Sequence, residues 1–227
     1  MNHRPPVKTH FAAAQLYRAA YYGLGLLFLA LGITLNTKTA LGVSPLISLP
    51  NSLALLYQWN LGNAIAVYYT LMVVAQLFIK GRGFRWYDLL QAPMSVLFTR
   101  LINLFNASLD FSSAPLGVRL LLLLAAIVCT GLGAALTVDM DLIPNAADGL
   151  VGAISLRSGR EMGFVKNMVD LTAVILTALT GLLLAQRVVC IGLGTLLTVL
   201  GTGRVVALFN RVCLRTIRQT AGLTGAA

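Results

Sequence analysis

The sequence is poor in charge. Lys, Arg, Asp and Glu together make up 11% of its 227 residues, and seven residues are acidic. Hydrophobic residues make up 58%, and the mean hydropathy is +0.83. A soluble domain of this length has too little interior to bury so much apolar surface. The composition therefore predicts a protein whose solvent is the lipid bilayer.

Residues that carry most enzyme chemistry are also scarce. The two histidines, His3 and His10, lie in the N-terminal tail, and the three cysteines form no CxxC pair. No HExxH, GxSxG or phosphate-binding glycine motif occurs. We therefore expect no metal, no cofactor and no catalytic residue, and predict that the protein is not an enzyme.

The basic residues do not predict nucleic-acid binding, although the net charge is +10. They lie between apolar runs instead of forming one stripe with interleaved aromatic residues. Basic loops beside membrane helices are what orientation in a bilayer requires. The expected partner is therefore lipid, and no nucleic acid.

The sequence contains an internal repeat. Three short matches occur in the same order in both halves of the chain, at an offset of 101 residues that drifts to 104. Together they indicate a duplicated unit. The matching pairs are 31–36 with 132–137, 61–62 with 162–163, and 100–106 with 204–210.

Six apolar stretches are long enough to cross a bilayer, which takes about 20 residues. The third is the least clear, because it contains Asp88, Gln91, Pro93 and Arg100. The stretches are about 15–36, 61–79, 87–106, 118–138, 163–185 and 188–209. We expect an all-α polytopic bundle with the repeats at 15–106 and 118–210, a cytoplasmic tail at 1–14, and a basic cytoplasmic tail at 211–227.

Two shorter apolar pieces, 44–57 and 145–156, fall at corresponding places in the two copies. Ser44 before Pro45 is typical of a helix N-cap and first helical position, and Asn145 plays a similar part. If both pieces dip into the membrane, their N-termini form a polar site near the midplane. The alternative is two surface loops, each followed by an interfacial helix.

The positions of lysine and arginine predict the topology. Basic clusters precede span one, lie at 80–85 and 157–160, and follow span six. Six spans with both termini inside make every cluster cytoplasmic. Each copy then has three spans, so the copies are inverted. If the short pieces crossed, eight spans and parallel copies would result, with the loop 80–85 outside.

Asp170 is the most informative single residue, because it lies within span five. An ionised carboxylate at that depth is costly and needs an interior position and a partner. It is either one half of a packing pair or a proton or cation relay. Ser44, Asn51, Asn145 and Asp148 are predicted to line the same solute site.

Arg100 and Arg204 occupy equivalent places in spans three and six, each just before Leu-Phe-Asn. Either can snorkel to an interface. Alternatively they line the substrate path, facing one another or pairing with Asp148 and Asp170, and we include both among the predicted substrate-binding residues.

A set of short motifs runs through the chain: Leu31-Gly32-Ile with Leu41-Gly42-Val-Ser44-Pro45, Pro144-Asn145-Ala-Ala-Asp148-Gly149-Leu150, Met162-Gly163-x-x-Lys166 with Asp170, and Gly192-x-Gly194-Thr195 with Gly203-Arg204. As a set they resemble the YitT/YczE-like family of bacterial integral membrane proteins. The resemblance covers about residues 15–210 and implies a polytopic protein of the bacterial cytoplasmic membrane, without implying a substrate.

Two functions fit this pattern. Inverted copies, broken segments and an intramembrane carboxylate favour a small-solute transporter or permease. A membrane scaffold or regulator of a partner protein needs only packing and exposed loops. A cavity reaching Asp170 favours the first, and a fully packed interior the second. Homo-oligomerisation stays open.

Overall fold

A computed structural model describes residues 8–111 and 113–223. Within these ranges the chain forms eight α-helices and no strand, which confirms the predicted all-α class. The helices are α1 (Lys8–Lys38), α2 (Pro45–Leu56), α3 (Leu61–Lys80), α4 (Gln91–Ser108), α5 (Leu116–Asp139), α6 (Ala146–Ser158), α7 (Met162–Ala185) and α8 (Leu193–Thr220).

Five helices are long and apolar enough to cross a membrane: α1, α3, α5, α7 and α8. They correspond to five of the six predicted spans. The chain is therefore a multi-pass membrane protein. The predicted third span, α4, has 18 residues and is not among the five.

Four predicted helix boundaries differ clearly from the structure. The stretch Trp86–Leu90 is a 3-10 helix, because Asp88 accepts hydrogen bonds from Lys80 Nζ and the Arg85 N–H, so α4 begins at Gln91. The helix α8 begins at Leu193 instead of 188, after Cys190 with its positive φ of 66°. It continues to Thr220, into the predicted tail, and α1 likewise begins at Lys8.

The two short pieces are helices, as predicted. Ser44 is the N-cap of α2 with Pro45 at its first position, and the Asn145 side chain caps α6 by accepting the Ala147 N–H at 3.1 Å. With 12 and 13 residues they are about 18 and 20 Å long, against a hydrocarbon core of about 30 Å. Neither is long enough to cross as a straight helix.

The helices α1 and α5 pack antiparallel along most of their length. At one end Arg18 Nε donates to the Met140 carbonyl at 2.6 Å, and at the other Arg119 Nε donates to the Thr39 carbonyl at 2.6 Å. Between them Gly133 lies against the Leu29 backbone, so close that an added Cβ would collide with it. Glycine at this crossing brings the two backbones together, as in other membrane helix pairs.

The helix α4 runs antiparallel along α3. The side-chain amides of Gln76 and Gln91 hydrogen-bond each other near one end, and Asn103 Oδ1 accepts the Gly62 N–H at 2.9 Å near the other. Thus α4 extends along nearly the whole of a membrane-length helix.

The short helix of each half packs against the other half. Ser48 of α2 shares a 2.7 Å hydrogen bond with Thr177 of α7. In α6, a Cβ added at Gly149 would lie 2.7 Å from Gln76 Oε1 of α3. Ser48 matches Gly149, and Gln76 matches Thr177, at the offset of 101 residues. Equivalent positions therefore meet twice, with the halves exchanged, once through a hydrogen bond and once through close packing on a glycine.

Candidate functional site

A cavity of about 500 Å³ lies between α7 and α8, against α1 and α5. The first residues of α2 and α6 reach it from the two halves, with Ser44 and Asn145 among its lining. Polar and charged groups thus meet inside a bundle of mainly apolar helices. Its charged lining residues are Asp139, Asp148, Lys166 and Asp170.

Four of the seven predicted site residues line this cavity: Ser44, Asn145, Asp148 and Asp170. The expectation that the N-termini of two short helices share one polar site agrees with this arrangement. The helix N-caps bring Ser44 and Asn145 there, and Asp148 follows within the first turn of α6.

The other three predicted residues lie elsewhere. Asn51 is buried and its Nδ2 donates to Cys190 Sγ at 3.0 Å, in the connection between α7 and α8. Arg100 is exposed on α4 and donates to Asn63 Oδ1 at 3.2 Å. Arg204 is exposed on α8, roughly 160° around the helix from the lining residue Val206.

The partner of Asp170 is Lys166, one helical turn earlier. Lys166 Nζ lies 3.7 Å from Asp170 Oδ2, and the two side chains are 49% and 17% exposed. The charge of Lys166 acts on Asp148 as well. In the sequence this pairing is visible as a spacing of four residues on a predicted helix, which places Lys166 and Asp170 on one face.

Three lining residues hold a buried oxygen without a hydrogen-bond partner in the described part of the chain. They are Asp139 Oδ2, Thr202 Oγ1 and Asn210 Oδ1. Leaving a buried polar atom unpaired costs about 1–3 kcal/mol. Native proteins satisfy such atoms with water or a ligand. Each of these oxygens is itself covered by protein atoms, so it does not by itself show what fills the cavity.

The cavity lies where the second half departs from the first. In the first half, Tyr69 of α3 stacks on Phe98 of α4, with ring centroids 6.3 Å apart. Their equivalents are Asp170, at an offset of 101, and Thr202, at an offset of 104. Both of these smaller polar side chains line the cavity. Two aromatic rings close one half where a carboxylate and a hydroxyl leave space in the other.

The described residues contain no group of three or more His, Cys, Asp or Glu side chains placed to hold a metal ion. The three lining carboxylates are thus not clustered as a metal centre. They are separate acidic groups on the wall of a larger cavity.

Residues 16–211 match the model of DUF6198, a family of unknown function. The chain belongs to this family. The match extends from α1 through most of α8 and so includes both repeats and every lining residue of the cavity. No curated protein and no solved structure matches the chain.

Proposed function

We propose that this protein is a small-solute transporter or permease, with its site in the cavity between two inverted halves. The cavity itself carries the proposal, because it brings four charged groups of the second half and the polar Ser44 of the first half together in an apolar bundle. Such residues within membrane segments typically mark a solute or ion path. A scaffold or regulator needs no such cavity.

The packing of α1 and α5 supports the inversion. These helices are the first of each repeat, and they run antiparallel. Equivalent helices that cross a membrane in opposite directions belong to copies with opposite orientations. The exchanged contacts of Ser48 with Thr177 and of Gly149 with Gln76 agree with a two-fold relation between the copies.

The position of α4 supports a sixth crossing. It follows the membrane-length α3 from Gln76 back to Gly62, so it traverses the same depth. Its 18 residues are about 27 Å long, close to the thickness of the hydrocarbon core. Each repeat then contributes three crossings and a short helix that does not cross.

The ends of the bundle support the proposed orientation. The Thr220 hydroxyl lies 3.3 Å from the Tyr21 hydroxyl, so the C-terminal part of α8 shares one end with Arg18 of α1. Gln76 Nε2 donates to the Ala146 carbonyl at this end, and Lys80 lies one helical turn further along α3. The basic end of α3 is therefore at the same end of the bundle. We place this basic end in the cytoplasm of a bacterium, with both termini, by the positive-inside rule. Kinship with the YitT/YczE-like family remains part of the proposal.

In the proposed mechanism, one half rocks against the other and exposes the cavity alternately to the two sides. Asp170 is the coupling or binding acid, held by Lys166. Ser44, Asn145 and Asp148 line the solute path. The solute crosses chemically unchanged, so the protein is a carrier and not an enzyme.

Flux measurements on purified protein in liposomes test this proposal. A mixture of amines, amino acids, sugars and carboxylic acids is offered outside, and mass spectrometry identifies what enters. Wild-type protein should admit at least one solute, and Asp170→Asn should lower its flux about tenfold or more. Asp141→Asn, at an exposed residue outside the cavity, is the matched control. No wild-type flux of any component would contradict the proposal.

A further inference from the structure

The cavity is acidic, although the protein is strongly basic. Three of the seven acidic residues of the chain line it: Asp139, Asp148 and Asp170. Of the 17 lysines and arginines, Lys166 is the one that lines it in the described part of the chain. The distribution of charge therefore favours a positively charged occupant over a negative one.

Lys166 does not neutralise the site. It lies 3.7 Å from Asp170 and its charge also acts on Asp148, so one cation serves two carboxylates. Asp139 is close enough for the Arg218 charge to act on it, yet its Oδ2 has no hydrogen-bond partner. The wall between α6 and α7 thus holds two carboxyl groups and one lysine.

The two helix N-termini do not make the cavity an anion site. Helix ends attract anions through free N–H groups and the positive end of the dipole. The first residue of α2, Pro45, has no N–H, and the first turn of α6 already carries Asp148. The Ala147 N–H donates to Asn145 Oδ1. The positive end of α6 is thus largely compensated by the chain itself, and Pro45 leaves α2 with one N–H fewer to offer an anion.

The remaining wall favours an organic cation over a bare metal ion. Leu29, Ile33, Val199 and Val206 supply apolar surface, and Tyr69 supplies an aromatic side chain. Apolar walls with a few placed charges suit small molecules, and aromatic faces attract cations. A metal ion requires several ligands at one point, a grouping that the described residues lack.

We propose that this cavity binds a singly charged organic cation with an apolar body, of the ammonium or phosphonium type. Asp148 and Asp170 hold the charge and the aliphatic residues of α1 and α8 enclose the body. This inference rests on the proposed function, because it names the substrate class of the same site.

Binding is tested with two ions of nearly the same shape and opposite charge, tetraphenylphosphonium and tetraphenylborate. Purified protein in nanodiscs of zwitterionic lipid is dialysed against each ion, and empty nanodiscs correct for partition into lipid. We expect saturable binding of the phosphonium only. Asp148→Asn and Asp170→Asn should each weaken it about tenfold or more, since each removes a charge partner. Asp141→Asn should leave it unchanged.

The flux assay on the same preparations separates the two proposals. Binding and flux of the cation, both weakened by the cavity variants, support both. Flux confined to anionic or neutral solutes, or equal binding of the borate, overturns the substrate class and leaves the transporter standing. Cation binding without any flux overturns the transporter and leaves the binding site standing. If the protein neither binds the cation nor transports any solute, both the transporter and its substrate class are wrong.

Discussion

The two halves of this bundle differ in how their last two long helices pack, α3 with α4 in the first half and α7 with α8 in the second. In the first half, α3 and α4 are joined by the Gly62–Asn103 hydrogen bond and the stack of Tyr69 on Phe98. In the second half the equivalents of these four residues make no such contacts, and the cavity lies between α7 and α8. In the most apolar 18-residue part of α3, 39% of the residues are buried, whereas in the corresponding part of α7 17% are buried.

In the proposed duplicated arrangement, this difference explains why the bundle has a single site. Duplication supplies two matching frameworks, and a two-fold relation alone would give two equal packings. Replacing an aromatic pair by Asp170 and Thr202 opens one of them. In the proposed mechanism, the closed half is the rigid reference against which the open half moves.

The largest expected effect comes from removing the aromatic stack. Phe98 is 2% exposed, and Phe98→Ala should lower the free energy of unfolding by about 3–5 kcal/mol, as for other buried phenylalanines. The equivalent Thr202→Ala should change it by less than about 1 kcal/mol. Unfolding in mixed micelles, followed by circular dichroism, measures both. Equal losses would mean that the halves are packed alike.

A smaller effect is expected at the glycines that begin α3 and α7. A Cβ at Gly62 would collide with the Thr99 carbonyl and Asn103, whereas a Cβ at Gly163 has no heavy atom within 4 Å. Gly62→Ala should destabilise the protein by about 1–3 kcal/mol through overpacking. Gly163→Ala should be neutral or stabilising by up to about 1 kcal/mol. The same unfolding assay compares them, and a destabilising Gly163→Ala would argue that α7 and α8 touch.

Filling the open half should reduce function without loss of stability. Thr202→Phe restores the aromatic ring found at Phe98 and occupies space opposite Asp170. Solute flux in liposomes should fall about tenfold or more, equivalent to roughly 1.4 kcal/mol. Thr202→Ser is the matched control and should retain flux. Undiminished flux in a folded Thr202→Phe protein would place the solute path elsewhere.

The smallest effect concerns the connections. In the first half Asp88 accepts bonds from Lys80 Nζ at 2.8 Å and the Arg85 N–H at 2.9 Å, and its equivalent at an offset of 104 is Gly192. Burial raises the pKa of Asp88, but these bonds and the charges of Lys80 and Arg85 outweigh it, so its pKa lies below the ordinary value.

Since the folded pKa is lowered, the carboxylate stabilises the protein fully above the unfolded pKa of about 4, and this contribution is lost as the pH falls through the folded pKa. Asp88→Asn should cost up to about 1 kcal/mol at pH 7. The difference from wild type should shrink as the pH is lowered below about 4. Unfolding curves at several pH values measure it, and a constant difference would assign Asp88 a role other than its charge.

The helices could be predicted from the sequence because their signals are local. Apolar runs mark the long helices, and Ser44-Pro45 and Asn145 mark the starts of the short ones. The boundaries of α4 and α8 were less predictable, since they depend on the Asp88 hydrogen bonds and the positive φ of Cys190.

The site was predicted in part for the same reason. Residues at helix starts, such as Ser44 and Asn145, are positioned by the local turn, and Asp148 follows from it. The direction in which a mid-helix side chain points depends on which neighbour packs where. For this reason the sequence could not show that Arg100 and Arg204 lie on exposed faces away from the cavity.

The opposite orientation of the halves can be measured directly by cysteine labelling. Cys129, Cys190 and Cys213 are replaced, and single cysteines are introduced as Arg82→Cys after α3 and Arg187→Cys after α7, the corresponding helices of the two halves. With a membrane-impermeant maleimide, the cysteine at 187 should react in intact cells and the cysteine at 82 only after permeabilisation. Reaction of both from the same side would contradict inverted halves, and with them the shared midplane site.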